Sequence, residues 1–540
     1  MRPGKKHLVF WFVCREYAEI AEAGGVKNIV CSLCEGLAAR GHAVTAFIPR
    51  YSFSNLSLIE GLAPAGLSTE VQAGDTVFPV SFSSGLFRGV RMVFAESPVF
   101  EHRRSVYTYT AGDEEENPSH VRGQGFTDAQ AVNVVFQKAV IAYTDLLRLS
   151  PEARAPDIVH CHDATTALTP VFAAETPGVR EFFASTAFAV SIHNAGPSYH
   201  HEFFSLDEAR TMTALPEEVL AQGMNGRRVE PYLLAASRAR LLTVSPWYAE
   251  ELLGCGPDHS DGLAGAFAAR GISITGITNG IDPAKYDTRK PRASLLPAAY
   301  DPAAGRFAGK ETCRDLFFAQ CALREGKQPI REFLSGGAVD VFGFLEGPPG
   351  TVLFGYHGRL AQQKGIGVLA GAAESLLSQG LPVAFALCGQ GEGGLEDRLI
   401  ALAEGFPGRV VFFRGYDRFI SRYCTAASDF FVLPSDFEPC GLEDLIAQLF
   451  GAIPVAHATG GLKKIIHQKT GFLYEKNDPQ TLGALLRDLA EDFLRDKTKY
   501  RAIAREAAGY VKKHYSWDRV LADSYLPLYH AEARQCSATT

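Results

Sequence analysis

Apolar positions along this chain follow two spacings that alternate. The run at residues 7–14 is broken by Arg15 and Glu16; Gly24-Gly25 follows, and then apolar residues at Val26, Ile29, Val30, Leu33 and Leu37, three and four apart. The first run has the continuity of a buried strand and the second has the period of a helix. Gly41 and a second strand-like run at 44–48 complete a strand, loop, helix, strand unit. Similar runs recur at 157–160, 187–193, 241–244 and 272–277, and again at 352–356, 383–387, 410–413, 430–433 and 453–456, with helical segments between them. This alternation predicts α/β architecture, two doubly wound domains with parallel sheets facing a central cleft. A stretch rich in Pro, Gly and Ala at 291–350 separates the two series and is expected to hold a hinge and surface excursions. The domains are accordingly drawn at 1–290 and 351–515. The polar patch at 111–124 is expected to be a mobile loop.

Length agrees with two domains, since 540 residues exceed one comfortable core. Lys and Arg total 53 against 60 Asp and Glu, for a net charge of −7, and no basic block stands out. Nucleic acid is therefore not an expected partner. No run approaches the roughly 20 apolar residues of a membrane span, and no small-residue cleavage site follows the first apolar run. The eleven cysteines are scattered, with Cys161, Cys388 and Cys424 inside predicted strands or helices. They read as reduced thiols of a cytoplasmic protein. Cys31 and Cys34 form a lone C-x-x-C on one side of a helix, which reads as helix packing rather than as a metal or redox site.

Several polar groups fall where strands end. At Gly24-Gly25 a backbone free of side chains can approach a diphosphate, although a glycine pair there is also simply a turn. Arg359 and Lys364 lie just past the strand at 352–356, where two cations can neutralise a leaving diphosphate or merely be solvated. The run Pro434-Ser435-Asp436-Phe437-Glu438-Pro439-Cys440-Gly441-Leu442 leaves a strand and enters a helix. Glu438 there is either a cap or a carboxylate placed to hold sugar hydroxyls and stabilise oxocarbenium charge, while the amides of Gly441 and Leu442 meet phosphate or sugar oxygens. His160-Cys161-His162-Asp163 and His193-Asn194 also sit at strand ends. Alternate residues at the tip of a buried strand are expected to point to opposite faces, so a metal site in the first cluster is set aside.

Taken together, these motifs resemble the bacterial glycogen synthase and plant starch synthase family, glycosyltransferase family 5, over nearly the whole chain. The resemblance rests on Glu16 through Gly25, His160 to Asp163, His193-Asn194, Thr243 to Ala249, Gly276 to Asp282, Gly358-Arg359 with Gln363-Lys364-Gly365, Gly415-Tyr416-Asp417, Glu438-Pro439-Cys440-Gly441-Leu442, Thr459-Gly460-Gly461-Leu462 and Ser516-Trp517. It implies two Rossmann-like domains in the GT-B fold, with 516–540 forming a C-terminal helix that crosses back to the first, acceptor-side domain. It also implies retaining glucosyl transfer from ADP-glucose to the non-reducing end of an α-1,4-glucan, with no metal and no cofactor. Carried over by position, Arg359 and Lys364 bind the diphosphate, Glu438 binds the glucosyl unit, and His193 and Asp163 line the reacting centre. Gly24 and Gly25 close over the phosphates, and Asn279, Cys440, Gly441, Leu442 and Tyr416 contact substrate.

The related transferases with a second Glu eight residues after the first would need it at Ile446, which favours the synthases. Four departures stand out: Glu22 replaces a family Lys, with Lys27 close by in sequence; Ala164 replaces an aromatic; Glu443 replaces a Thr; and 195–201 differs from the family's usual segment. The alternatives are a transferase of the same fold with another nucleotide sugar or acceptor, and a non-catalytic glucan-binding relative. The sequence leaves the oligomeric state open.

Overall fold

The computed structural model describes residues 7–148, 154–323, 328–334, 339–347 and 350–539. They fall into two compact units, one of residues 1–278 with 520–540 and the other of residues 279–519.

The strands of the first unit are β1 (Val9–Val13), β2 (Ala43–Pro49), β3 (Glu60–Ala73), β4 (Thr76–Phe87), β5 (Val90–Glu96), β6 (Ile158–His162), β7 (Ala187–Ile192), β8 (Met224–Asn225), β9 (Arg228–Val229), β10 (Arg240–Thr243) and β11 (Ile274–Gly276). Apart from the β8–β9 ribbon they form one sheet in the order β11-β10-β7-β6-β1-β2-β5-β4-β3. From β11 to β5 every neighbouring pair is parallel. The helix Val26–Ala38 buries Ile29, Val30, Leu33, Cys34 and Leu37, the face that the three-and-four spacing marks out. The expectation of a purely parallel sheet is corrected at one edge, where β4 pairs antiparallel with both β3 and β5. β3 hides few side chains and carries Gly, Pro and Glu, so it lacks the apolar run that betrays a buried strand.

The second unit contributes β12 (Val339–Leu345), β13 (Val352–His357), β14 (Val383–Gly389), β15 (Arg409–Gly415), β16 (Phe430–Leu433), β17 (Ile453–His457) and β18 (Phe472–Tyr474), ordered β12-β15-β14-β13-β16-β17-β18. Only β12 runs antiparallel to its neighbour. Successive β13 residues serve opposite layers: Val352, Phe354 and Tyr356 join the core that includes helices Ile366–Ser378 and Pro479–Arg495, and Leu353 joins the core that includes Ala308–Cys321 and Arg418–Ala427. The stretch 291–350 is therefore no plain hinge. Its helix Ala308–Cys321 buries Cys313, Phe317 and Cys321, and its strand β12 buries Val339, Val341 and Leu345 in that second core.

Residues 111–124 are also more ordered than their polarity predicts. Ala111–Glu116 is a helix started by a reciprocal Thr110–Asp113 capping box, and the Tyr109 ring stacks on His120 at 4.2 Å. At the other end of the chain, Val520–Thr540 belongs to the first unit: Leu521 lies against Gly36, and Tyr529 is buried with its hydroxyl 2.8 Å from His160 Nδ1. All eleven cysteines are free thiols, Cys31 and Cys34 buried in their helix. Among the described residues no helix is long and apolar enough to cross a membrane.

Candidate active site

In the second unit the site is built where β13, β15, β16 and β17 end. Beyond β13 the chain makes a short turn at Gln362–Lys364 and enters the helix Ile366–Ser378 through Gly365, whose φ is 64°. A β-carbon on Gly365 would lie 1.8 Å from the Pro434 carbonyl oxygen, so only glycine lets this turn pack under the loop after β16. That contact sets Lys364 against Glu438. The ammonium lies 2.5 Å from Glu438 Oε2, on which the Ser435 hydroxyl also donates at 3.3 Å. Burial works against the Lys364 charge, but Glu438 and Glu443 outweigh it and raise its pKa. Gln363 braces the same loop, donating to the Phe437 carbonyl and accepting from the Asp436 amide. Arg359 is exposed, its guanidinium 3.5 Å from Gln363 Oε1.

Glu443 faces this cluster. Burial alone would raise its carboxyl, but Lys364 and His357 overcome that and hold it below the usual carboxylate range, with Oε2 accepting from the Leu442 amide at 3.2 Å. The Leu442 amide, expected to meet a ligand oxygen, is thus occupied by the chain's own carboxylate. Lys27 pairs with Glu22 at 3.7 Å in the first unit, so the anion at Glu22 is balanced locally.

Sequence reasoning missed the pair that ties the Glu438–Leu442 loop to the Thr459–Leu462 loop. The side chains of Lys464 and Asp444 are fully buried, with Nζ 2.8 Å from Asp444 Oδ1. The same ammonium donates to the carbonyls of Cys440, Gly441 and Gly461. Burial raises the Asp444 carboxyl to about 6, against the pull of Lys464. The only hint in the sequence was a cation two residues beyond the Thr-Gly-Gly-Leu run. Asn279 is buried, its backbone bonded to the Cys440 thiol, and the next residue, Gly280, packs on Trp517 while Ile281 pairs with the backbone of 515–517. The Ser516-Trp517 motif therefore supports the Asn279 motif. Tyr416, after β15, is 68% exposed.

In the first unit β6 and β7 bring the two histidine motifs together. His160 and His162, two residues apart, lie on the same face with ring centroids 4.3 Å apart, which corrects the argument used to set a metal aside. Both His160 nitrogens are nonetheless engaged, by Tyr529 and Ser191. His162 Nδ1 is 2.9 Å from His193 Nε2. Burial drives both rings down, His193 to about 3 and His162 well below its usual value, so both are neutral at pH 7. Asp163 sits at φ 63°, and its Oδ1 accepts from the His193 amide at 2.8 Å. Burial lifts its carboxyl to about 7. Glu16 is lifted to about 7 by burial too, although Oε2 accepts from the amides of Ala23 and Gly24 at 3.1 and 2.6 Å. The Gly24 amide, expected to face a phosphate, is therefore turned to Glu16.

The chain is similar to known proteins over most of its length. Residues 10–278 match the family described as starch synthase catalytic domain, and residues 351–492 match the glycosyl transferases group 1 family. The glycogen synthase of Thermodesulfovibrio yellowstonii is 27% identical, covering 96% of each chain. That of Vibrio parahaemolyticus is 28% identical, over 97% of this chain and 99% of its own. The catalytic domain of starch synthase IV from Arabidopsis thaliana, solved bound to ADP and acarbose, has the same fold, with a TM-score of 0.76 at 23% identity over 98% of this chain and 100% of its own. The two α/β units are those of a GT-B glycosyltransferase, and the chain belongs to the glycogen and starch synthase family, enzymes that build α-glucan by glucosyl transfer.

Proposed function

We propose that this enzyme is cytoplasmic and transfers glucose from ADP-glucose, with retention of configuration, to the non-reducing end of an α-1,4-glucan. The observation that carries the reading is the contact of Lys364 with Glu438, beside the exposed guanidinium of Arg359. In this reading the two cations hold the diphosphate and stabilise its departure. Glu438 accepts from glucosyl hydroxyls and offsets the positive charge that grows at the anomeric carbon. Asn279, Cys440, Gly441, Leu442 and Tyr416 shape the donor site. The departing phosphate oxygen takes the proton of the acceptor hydroxyl on the same face of the sugar, so the configuration is kept without a covalent glycosyl enzyme. His193, being neutral, serves as a hydrogen-bonding wall and not as a titrating base. Asp163 fixes the backbone that carries His193, and Gly24 and Gly25 let the chain approach the phosphates closely. The Arabidopsis catalytic domain, solved with ADP and acarbose bound, supports an adenine donor and a glucan acceptor.

A panel of ADP-, UDP- and GDP-glucose with glycogen as acceptor tests this. Rapid incorporation from ADP-glucose alone is expected, with a loss of at least about 100-fold in Glu438→Ala. Full activity in that variant, or a preference for another base, would overturn the assignment.

A further inference from the structure

Away from the residues assigned above, one cluster in the first unit has the chemistry of a metal site. His200, Glu202 and Glu230 place one donor atom each within 4.8 Å of one another, the only such trio among the described residues. The chain brings them together through the pairing of Phe203 with Val229, whose backbones exchange two hydrogen bonds of 3.0 Å. His200 and Glu230 are each only 2% exposed. His200 Nε2 faces the Ala195 carbonyl oxygen at 2.8 Å, so that nitrogen carries the proton and Nδ1 is turned toward Glu230 Oε1, 3.1 Å away. A ligating imidazole is commonly held in this way, its second N–H on a backbone carbonyl. Two donors on a tetrahedral ion with bonds of about 2.0–2.1 Å lie about 3.3 Å apart, close to the observed spacing. Glu230 Oε2 is buried without a hydrogen-bond partner, an arrangement that costs free energy unless something binds it. Arg228 engages Glu202 Oε1 at 2.7 Å, which leaves Oε2 for an ion.

We propose that His200, Glu202 and Glu230 bind one divalent first-row transition ion, with Zn2+ the best match to one imidazole and two carboxylates. The ion clips residues 200–202 to the start of the helix Pro231–Ala236. Through the His200–Ala195 bond it stiffens the segment that follows His193. It is structural and takes no part in glucosyl transfer.

The test uses the full chain without a polyhistidine tag, stripped with a chelator and titrated with Zn2+ by calorimetry. About one equivalent should bind, Co2+ should give a visible absorption band on the same site, and Zn2+ should raise Tm. His200→Gln and Glu230→Gln should abolish uptake. Because those positions are buried and the variants could fail to fold, Glu202→Gln provides the second arm, with affinity expected to fall at least about tenfold. Uptake below about 0.1 equivalent by the wild type would show an ordinary His200–Glu230 ion pair and overturn the proposal. So would a folded Glu202→Gln protein that binds as tightly as the wild type.

Discussion

At the scale of single residues, exposure separates groups whose loss should touch only function from groups whose loss should also touch folding. Arg359 is exposed, so Arg359→Ala should leave stability within about 0.5 kcal/mol. Removing charge-assisted bonds of about 1.5–3 kcal/mol should raise the donor KM by roughly 10- to 100-fold. Steady-state kinetics beside a urea melt measure both, and an unchanged KM would remove Arg359 from the donor site. Asp163 and Glu16 behave differently, because burial lifts both carboxyls to about 7. A carboxyl raised in the folded state favours folding while protonated, and that contribution is lost as pH climbs from about 4 through about 7. The buried histidines His160, His162 and His193 are pushed down by burial, so they oppose this trend only below about pH 6.5, where the unfolded chain takes up their protons. Stability should therefore fall between about pH 6.5 and pH 8, with a shallower fall in Asp163→Asn. Urea titrations across that range decide it, and a rising curve would contradict the stated burial of these carboxyls.

At the scale of elements, the Glu438–Leu442 and Thr459–Leu462 loops are held by a buried charge and not by regular structure. Lys464 carries three loop carbonyls and the Asp444 carboxylate at once. Lys464→Met leaves Asp444 buried without its partner and should cost about 3–5 kcal/mol, whereas Lys464→Met with Asp444→Leu should recover part of that loss. Both variants should lose donor affinity, since the carbonyls of Cys440, Gly441 and Gly461 lose their shared donor. Denaturation midpoints and ADP calorimetry on the two variants check the claim. Equal stability of the single and double variants would mean that the ion pair is not what holds these loops. Glu443 enters at this scale as well: the first residue of a short helix, it turns back to the Leu442 amide and faces Lys364.

At the scale of the whole molecule, chain order and unit membership diverge. Residues 520–540 are last in sequence yet complete the first unit, where Tyr529 reaches His160 and Leu521 fills the space above Gly36. Truncation after Arg519 should strip an apolar cover from the first unit and leave the Ile281–Trp517 pairing of the second in place. In calorimetry the transition of the first unit should fall by at least about 5 °C, since even a few buried aromatic and aliphatic side chains contribute several kcal/mol, while the second unit changes little. Equal shifts in both transitions would contradict this division.

The parallel strands of both sheets were legible because buried strands need continuous apolar runs and their covering helices need apolar residues three and four apart. Residues 44–48 and 352–356, expected as strands, fall within β2 and β13. The strand-end motifs were legible as well, since Gly365 and the turn after β16 tolerate few residue types. The largely exposed edge strand β3 was not, because its polar faces in water leave no apolar run to read. Nor was the order within 291–350, where scattered apolar residues find their partners only across the sheet. Local sequence therefore determined which segments are strands and helices and which glycines must turn. Only the tertiary structure decided that Lys464 meets Asp444, that Glu16 takes the Gly24 amide, and that His160 answers to Tyr529, 369 residues away. Such contacts join groups from 8 to 369 residues apart, and their energies depend on a burial that no single segment encodes.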